Sequence, residues 1–298
     1  MLEFLKKLFE RKPKVPRVDL KSRFELIGRI GQGSMSKVYR ARDPGTDRMY
    51  AVKVLDTHKT RKLEERFLAK GLERPSEGEI AIQLEHPRIV KTYEFGWTVD
   101  NEMFLVMEFV EGVGLSFLID TQNEHMQKGR LRFLVELGEA IEYFHSKNLI
   151  HRDICPRNIM LDENYHIKLI DFGLVVPNTP PFQQPGNRTG TALYMAPELM
   201  KRKKTDQRID IFSYAMTCYE VFANRQPWDS VGPTIELMRQ RINSEPADIR
   251  EFVSDIDEDI AETIMRGLEA DPSSRWASAA QMVARFRDAR TRLEGVSE

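Results

Sequence analysis

The stretch His151-Arg152-Asp153-Ile154-Cys155-Pro156-Arg157-Asn158, with Asp171-Phe172-Gly173 a few residues on, constrains the fold more than anything else in the chain. Two carboxylates and an amide stand close together, with the apolar residues Ile159, Met160 and Leu161, then Ile167, Leu169 and Ile170, between them. That texture predicts a hairpin with acidic side chains on the loops at both its ends. The residue types suit phosphoryl transfer from a magnesium nucleotide. One carboxylate orients a hydroxyl and accepts its proton, while a second carboxylate and an amide oxygen hold hard cations.

At 298 residues the chain is near the size where a single core divides, so one large or two modest domains are expected. With 41% hydrophobic and 31% charged residues it reads as soluble and globular. Lys+Arg 45 against Asp+Glu 46 gives a net charge of -1, and nothing in bulk charge calls for a nucleic-acid partner. Two cysteines, Cys155 and Cys218, argue against a disulfide framework or a zinc site; they fit a reducing, cytoplasmic setting. No apolar run reaches the ~18 residues of a membrane-spanning helix. The first apolar residues are interrupted by Glu3, Lys6 and Lys7, which is unlike a secretory leader.

Along the chain, residues 1–23 form a basic amphipathic segment and linker. Leu2, Leu5, Leu8 and Phe9 make one helical stripe, and eight Lys/Arg stand against three Asp/Glu. Such a helix can lie peripherally on an anionic membrane surface or a partner; it can equally dock on its own protein. Pro13 and Pro16 follow. From Phe24 the texture is β: Phe24 to Ile27, the glycine-bearing turn Gly31-Gln32-Gly33-Ser34, Val38 to Arg42, Ala51-Val52-Lys53-Val54, Ile89 to Phe95 and Met103 to Val110 give five antiparallel strands. Between them, Leu63, Phe67 and Leu68 lie on a helical stripe, and Ser76-Glu77-Gly78-Glu79 has the spacing of a capping box. After residue 115 the chain turns helical. Leu131, Leu134, Leu137, Ile141 and Phe144 predict a one-sided helix, and residues 210–219 an all-round apolar one, which makes Cys218 a core residue. Met282, Val283, Phe286 and Ala289 predict a last helix.

The order of these motifs resembles that of the eukaryotic-type (Hanks-type) serine/threonine protein kinases over about residues 24–290. The resemblance implies an α+β, two-lobed fold: a small antiparallel five-stranded N-lobe (24–110), a larger, mainly helical C-lobe (115–290), and a short tail (291–298). It implies an enzyme that uses ATP and Mg2+ to phosphorylate Ser/Thr of protein substrates. Asp153 would be the catalytic base, and Asn158 and Asp171 the metal ligands. Lys53 would position the phosphates. Its partner would be Glu77 by the family's spacing from His86-Pro87, with Glu79 as the alternative. Ile30, Gly31, Gly33, Val38, Ala51, Met107, Glu108, Val110 and Met160 would surround the nucleotide. Glu198, in Ala196-Pro197-Glu198, would pair with Arg275 as an architectural contact.

The chain departs from the family at several points. Ser36 replaces the third glycine of the loop, and Cys155 stands where serine/threonine kinases carry lysine. Arg157 is read as supplying the missing positive charge, since a guanidinium can grip phosphate oxygens by two bonds; the alternative is a solvated side chain. Arg152 suggests control by phosphorylation of the activation loop, yet the usual acceptor position is Asn187. Thr179 and Thr189 are the only hydroxyls between Asp171 and Thr191, with Thr189 the favoured site. The competing readings are a pseudokinase scaffold, which would bind nucleotide or partners without efficient transfer, and a small-molecule kinase.

Overall fold

The computed structural model describes residues 17–32, 35–186, 189–228 and 234–295. The amphipathic segment expected at residues 1–12, the linker prolines, Gly33 and Asn187 lie outside the described residues. The chain divides after Glu111 into two compact units.

The first unit is a six-stranded sheet in the order β1-β5-β6-β4-β3-β2. Its strands are β1 (Arg17–Val18), β2 (Glu25–Gln32), β3 (Ser36–Arg42), β4 (Met49–Leu55), β5 (Thr92–Thr98) and β6 (Met103–Glu108). All neighbours are antiparallel except β1 and β5, where Arg17 stands beside Trp97 and Val18 beside Thr98. The sixth strand corrects the five-stranded expectation. Two residues are too few to carry a period-two signal, and β1 exists because a neighbouring edge accepts it, with Val99 N–H donating to Val18 O at 3.1 Å.

Directly after β1 comes one turn of helix, α1 (Leu20–Arg23), started by the Asp19 carboxylate accepting from Lys21 N–H. Leu20 and Phe24 pack with Ala41, Val52, Val54, Phe104 and Val106, so residues before 24 contribute to the core of the sheet. Two further helices follow β4. In α2 (Thr57–Leu68), capped by Asp56, the stripe residues Leu63 and Phe67 are buried while Leu68 is exposed. In α3 (Glu77–Ala81) the helix is five residues long and contains Gly78. A Cβ at that position would fall 2.5 Å from the Phe95 ring, which accounts for a residue of low helix propensity there.

The second unit is built on helices. It opens with β7 (Gly112–Gly114), α4 (Leu115–Thr121) and α5 (Glu124–Ser146), whose start is capped by Asn123. Two small sheets follow. β8 (Leu149–Ile150) pairs with β11 (Val176–Pro177), and β9 (Ile159–Asp162) lies between β7 and β10 (Ile167–Leu169). The hairpin read from the sequence is β9–β10, with Leu161 opposite Ile167. The remaining helices are α6 (Pro197–Met200), α7 (Arg208–Ala223), α8 (Thr234–Asn243), α9 (Glu258–Gly267) and α10 (Ala279–Glu294). Helix α7 is buried on every side over most of its length, Cys218 included. Helix α10 runs to Glu294, past the expected domain edge at 290, and Arg292 near its end bonds Asp257 at 2.7 Å.

Candidate active site

In the first unit the chemistry centres on Lys53. Strand β4 lies between β3 and β6, with Val38 and Leu105 as the register partners of Lys53, so this lysine is neither at an edge nor facing solvent. Its side chain is 4% exposed, and a buried ammonium is costly unless a carboxylate meets it. Glu77 does so, with Oε1 2.5 Å from Lys53 Nζ and an exposure of 5%. Glu77, favoured by the family's spacing, is thus the partner, and Glu79, the alternative, has a different task. Glu79 completes the capping box, accepting from Ser76 N–H at 2.7 Å while its own N–H donates to Ser76 Oγ at 3.3 Å. One helix start therefore uses one glutamate to begin the helix and the other to hold the lysine.

Of the residues expected around a nucleotide, Ala51 and Met107 are buried register partners across β4 and β6. Val38 is half-buried, facing Gly31 on one side and Lys53 on the other. Gly31 is ordinary strand backbone, and a Cβ there would rest 3.7 Å from Val38. Ile30 is exposed, and Val110 is half-buried. The N–H of Glu108 donates to Lys91 O at 2.8 Å, and its carboxylate accepts from Lys91 N–H at 3.1 Å.

In the second unit Asp210, at the start of α7, organises the loop that carries Asp153. Its carboxylate accepts from the backbone N–H groups of His151 and Arg152, both at 2.8 Å, and lies 3.0 Å from His145 Nε2. Burial pushes the Asp210 carboxyl up, but the hydrogen bond and charge of His145, with the charge of His151 and the Arg152 amide, hold it below the usual carboxylate range. Turning both amides toward one carboxylate puts Arg152 at φ 71°, the left-handed region that non-glycine residues rarely adopt. The next residue is Asp153.

The carboxylate of Asp153 is fixed at both oxygens. Oδ1 accepts from Thr191 N–H at 2.7 Å and Oδ2 from Asn158 Nδ2 at 2.9 Å. Asn158 Nδ2 also reaches the Asp153 carbonyl at 2.8 Å. Close approach of the segment before Thr191 requires Gly190. It sits at φ +132°, and a Cβ would come within 2.7 Å of Arg152 O.

Cys155 is buried beside this assembly, with Sγ 3.8 Å from Thr191 Oγ1. Burial and the nearby Asp153 charge raise its thiol to about 11, so it is neutral at physiological pH. Arg157 is exposed on the 3-10 turn Pro156–Asn158. Met160 is half-buried on β9. Asp171 is half-buried, its Oδ1 accepting from Gly173 N–H at 2.9 Å, while Phe172 packs on Phe144 and His151.

Among the described residues no group of three or more His, Cys, Asp or Glu could hold a metal ion by itself. The donor set nevertheless fits magnesium, which keeps several waters and takes one or two carboxylates together with substrate phosphates. With its nitrogen bonded to Asp153, Asn158 presents amide oxygen as its remaining ligand atom. Asp171 would supply the carboxylate.

Further along, Asn178 N–H donates to Asn148 O at 2.7 Å, and its side chain joins Gln207 and Gln183 at 3.0 and 2.9 Å. Thr179 and Thr189 are both half-buried. Glu198 meets Arg275 through two bonds of 2.7 and 2.8 Å. Sequence reasoning missed His145, whose signal was a histidine six residues ahead of His151. It also missed Glu220 and Arg241. The one available clue to Arg241 is its place a turn from Leu237, on the apolar side of α8.

The chain is thus of α+β architecture, with a buried lysine–glutamate pair in its sheet unit and an aspartate locked to an amide in its helical unit. The chain matches the protein kinase domain family over residues 24–286 and belongs to it. It is 31% identical over 271 residues to a probable serine/threonine-protein kinase of Streptomyces coelicolor, covering 88% of this chain and 39% of that protein. It is 29% identical over 271 residues to the serine/threonine-protein kinase PknB of Mycolicibacterium smegmatis, covering 89% and 42%. With a probable serine/threonine-protein kinase of Bifidobacterium longum the identity is 28% over 275 residues, covering 88% and 35%. The chain thus spans well under half the length of these curated relatives.

Proposed function

We propose that this chain transfers the γ-phosphoryl group of ATP to serine or threonine hydroxyls of proteins, with Asp153 as the general base. The observation that carries the reading is the Asp153 carboxylate, held at one oxygen by Asn158 and at the other by the amide of Thr191. A carboxylate fixed in this way is an acceptor of set direction, as a base for a hydroxyl must be. The acceptor oxygen forms a bond to the γ-phosphorus as the bond from that phosphorus to the β,γ-bridging oxygen breaks. The hydroxyl proton goes to Asp153 and ADP leaves.

Lys53, held by Glu77, would bind the nucleotide phosphates, and Asn158 and Asp171 would hold Mg2+ through oxygen. When bound, the ion neutralises charge on the phosphates. Glu108, whose N–H is bonded to Lys91, would meet adenine through its carbonyl, and Val110 through its backbone. Exposed Arg157 supplies a cation beside the transferred group, taking the place of the lysine that Cys155 replaces. The names of the relatives support Ser/Thr as the acceptor class. The test is transfer of labelled phosphate from Mg-ATP to a basic protein acceptor, followed by phosphoamino-acid analysis. Phosphoserine and phosphothreonine are expected; phosphotyrosine alone, or transfer only to small molecules, would overturn the assignment.

A further inference from the structure

Helix α8 turns one charged side chain inward. Arg241 is 3% exposed. Its Nη1 donates to the carbonyl of Ala192 at 3.2 Å and its Nη2 to Gln226 Oε1 at 3.0 Å, and the guanidinium stands 5.4 Å above the Trp228 ring. Trp228 is tied back to the end of the same helix by a bond from Nε1 to Ser244 O. Burial draws the guanidinium down to about 10, with Tyr194 and Glu220 opposing the shift, so it remains charged at neutral pH. A buried cation of this kind is retained at a desolvation cost that its hydrogen bonds must offset. One of the two acceptors is main chain of the segment that also bonds the base.

That segment, from Gly190 to Tyr194, is gripped from two sides. On one side the Thr191 N–H bonds Asp153 Oδ1 at 2.7 Å. On the other, one residue further on, Arg241 holds the Ala192 carbonyl. Tyr194 extends the grip, its hydroxyl donating to Glu220 Oε2 at 2.5 Å and its carbonyl accepting from Ser213 Oγ at 2.8 Å. Without the hold on the Ala192 carbonyl the short segment is free to shift, and a shift that reaches the Thr191 N–H, two peptide planes away, costs Asp153 the bond that sets one of its oxygens.

We propose that Arg241 is a positioning residue, which by holding the Ala192 carbonyl seats the segment whose Thr191 amide bonds Asp153, and so aims that carboxylate at the acceptor hydroxyl. The inference rests on the proposed kinase activity and deepens it. Among the described residues the polar contacts of Arg241 are Ala192 and Gln226, so its loss should act on the acceptor substrate and leave the nucleotide alone.

The test compares wild type, Arg241→Ala and Arg241→Lys in steady-state transfer to a Ser/Thr peptide, with peptide and ATP varied in turn. It adds hydrogen exchange of the amides in residues 189–196 without substrate. Arg241→Ala is expected to lower kcat/KM for the peptide by about tenfold or more, because small misplacements at a reacting group cost up to about 10²-fold. KM for ATP should stay within about twofold. Exchange in the segment should rise, and Arg241→Lys, which can make one of the two bonds, should recover part of both effects. Unchanged exchange in the segment would overturn the positioning role whatever the activity. Equal losses toward peptide and ATP would overturn its selectivity for the acceptor. If Arg241→Ala does not fold, Arg241→Lys carries the test with an intermediate change expected in both readouts and no change contradicting it. Absence of transfer by wild type, with faster exchange in the variant, would sink the kinase reading while leaving the anchoring contact established.

Discussion

Each unit of the molecule buries one prominent ion pair, and the two are built differently. Glu198 and Arg275 join through two parallel bonds, and the other donors of Arg275 go to the carbonyls of Glu269, Arg208 and Ala270. All five guanidinium N–H groups are committed to protein acceptors, and the ring of Phe212 covers the fork at 4.9 Å. Lys53 and Glu77 meet through an ammonium, a compact charge on a flexible stem rather than a planar fork. Glu77 stands on a five-residue helix rather than a long one. The arginine pair is a fixed joint between α6 and the stretch before α10; the lysine pair holds a compact cation inside a sheet. A buried ion pair alone says little about function, whereas the geometry of its donors separates architecture from chemistry.

Substitution should have its largest effect at the fixed joint. Arg275→Ala leaves the Glu198 carboxylate buried without its fork, and such a loss costs about 3–5 kcal/mol. A melting temperature lowered by on the order of 10 °C is expected. If Arg275→Ala melted like wild type and lost only turnover, the pair would have to be reassigned to the chemistry. In the other direction, Glu77→Gln keeps a hydrogen-bonding group beside Lys53 and removes the charge. Nucleotide affinity should fall about tenfold, the equivalent of one charge-assisted bond, with a smaller shift in melting than Arg275→Ala produces. Calorimetric titration and melting on the same samples would read both effects, and a reversed order would contradict the division drawn here.

Arg157 offers a weaker contrast, since it is exposed and carries its charge in water. Arg157→Ala should reduce turnover by less than about tenfold and leave stability within about 0.5 kcal/mol. Full turnover would dismiss it as a substitute for lysine. The smallest expected effect is at Cys155. With its thiol raised to about 11, native protein at pH 8 should resist iodoacetamide, and unfolded protein should react. Rapid alkylation of the native state would show that the side chain is not packed against Thr191.

The loop around Asp153 was legible because its chemistry lies in a continuous run of sequence, and the β9–β10 hairpin because its apolar residues flank that run. Lys53 was legible for the opposite reason, as a charge between apolar strand residues. Glu77 was favoured over Glu79 by the family's spacing from His86-Pro87, and the approach of β4 agrees, since both glutamates open the same helix two residues apart and Glu77 is the one that meets the lysine. Strand β1 escaped because two residues carry no periodicity. Arg241 escaped because its meaning depends on Ala192, which is brought to it by tertiary packing. In α8 itself it is one basic residue among several.

Asp153 is proposed here as a general base directed by Asn158 and the Thr191 amide. The most direct test of that role is labelled phosphate transfer from Mg-ATP by wild type, Asp153→Asn and Lys53→Met side by side, with nucleotide affinity measured on each. The account predicts transfer to Ser/Thr by wild type and a loss of about 10²–10⁴-fold in Asp153→Asn with nucleotide binding kept. In Lys53→Met both transfer and nucleotide binding should fail. Nucleotide binding by all three without transfer by any would contradict it and make this chain a binding scaffold in a kinase fold.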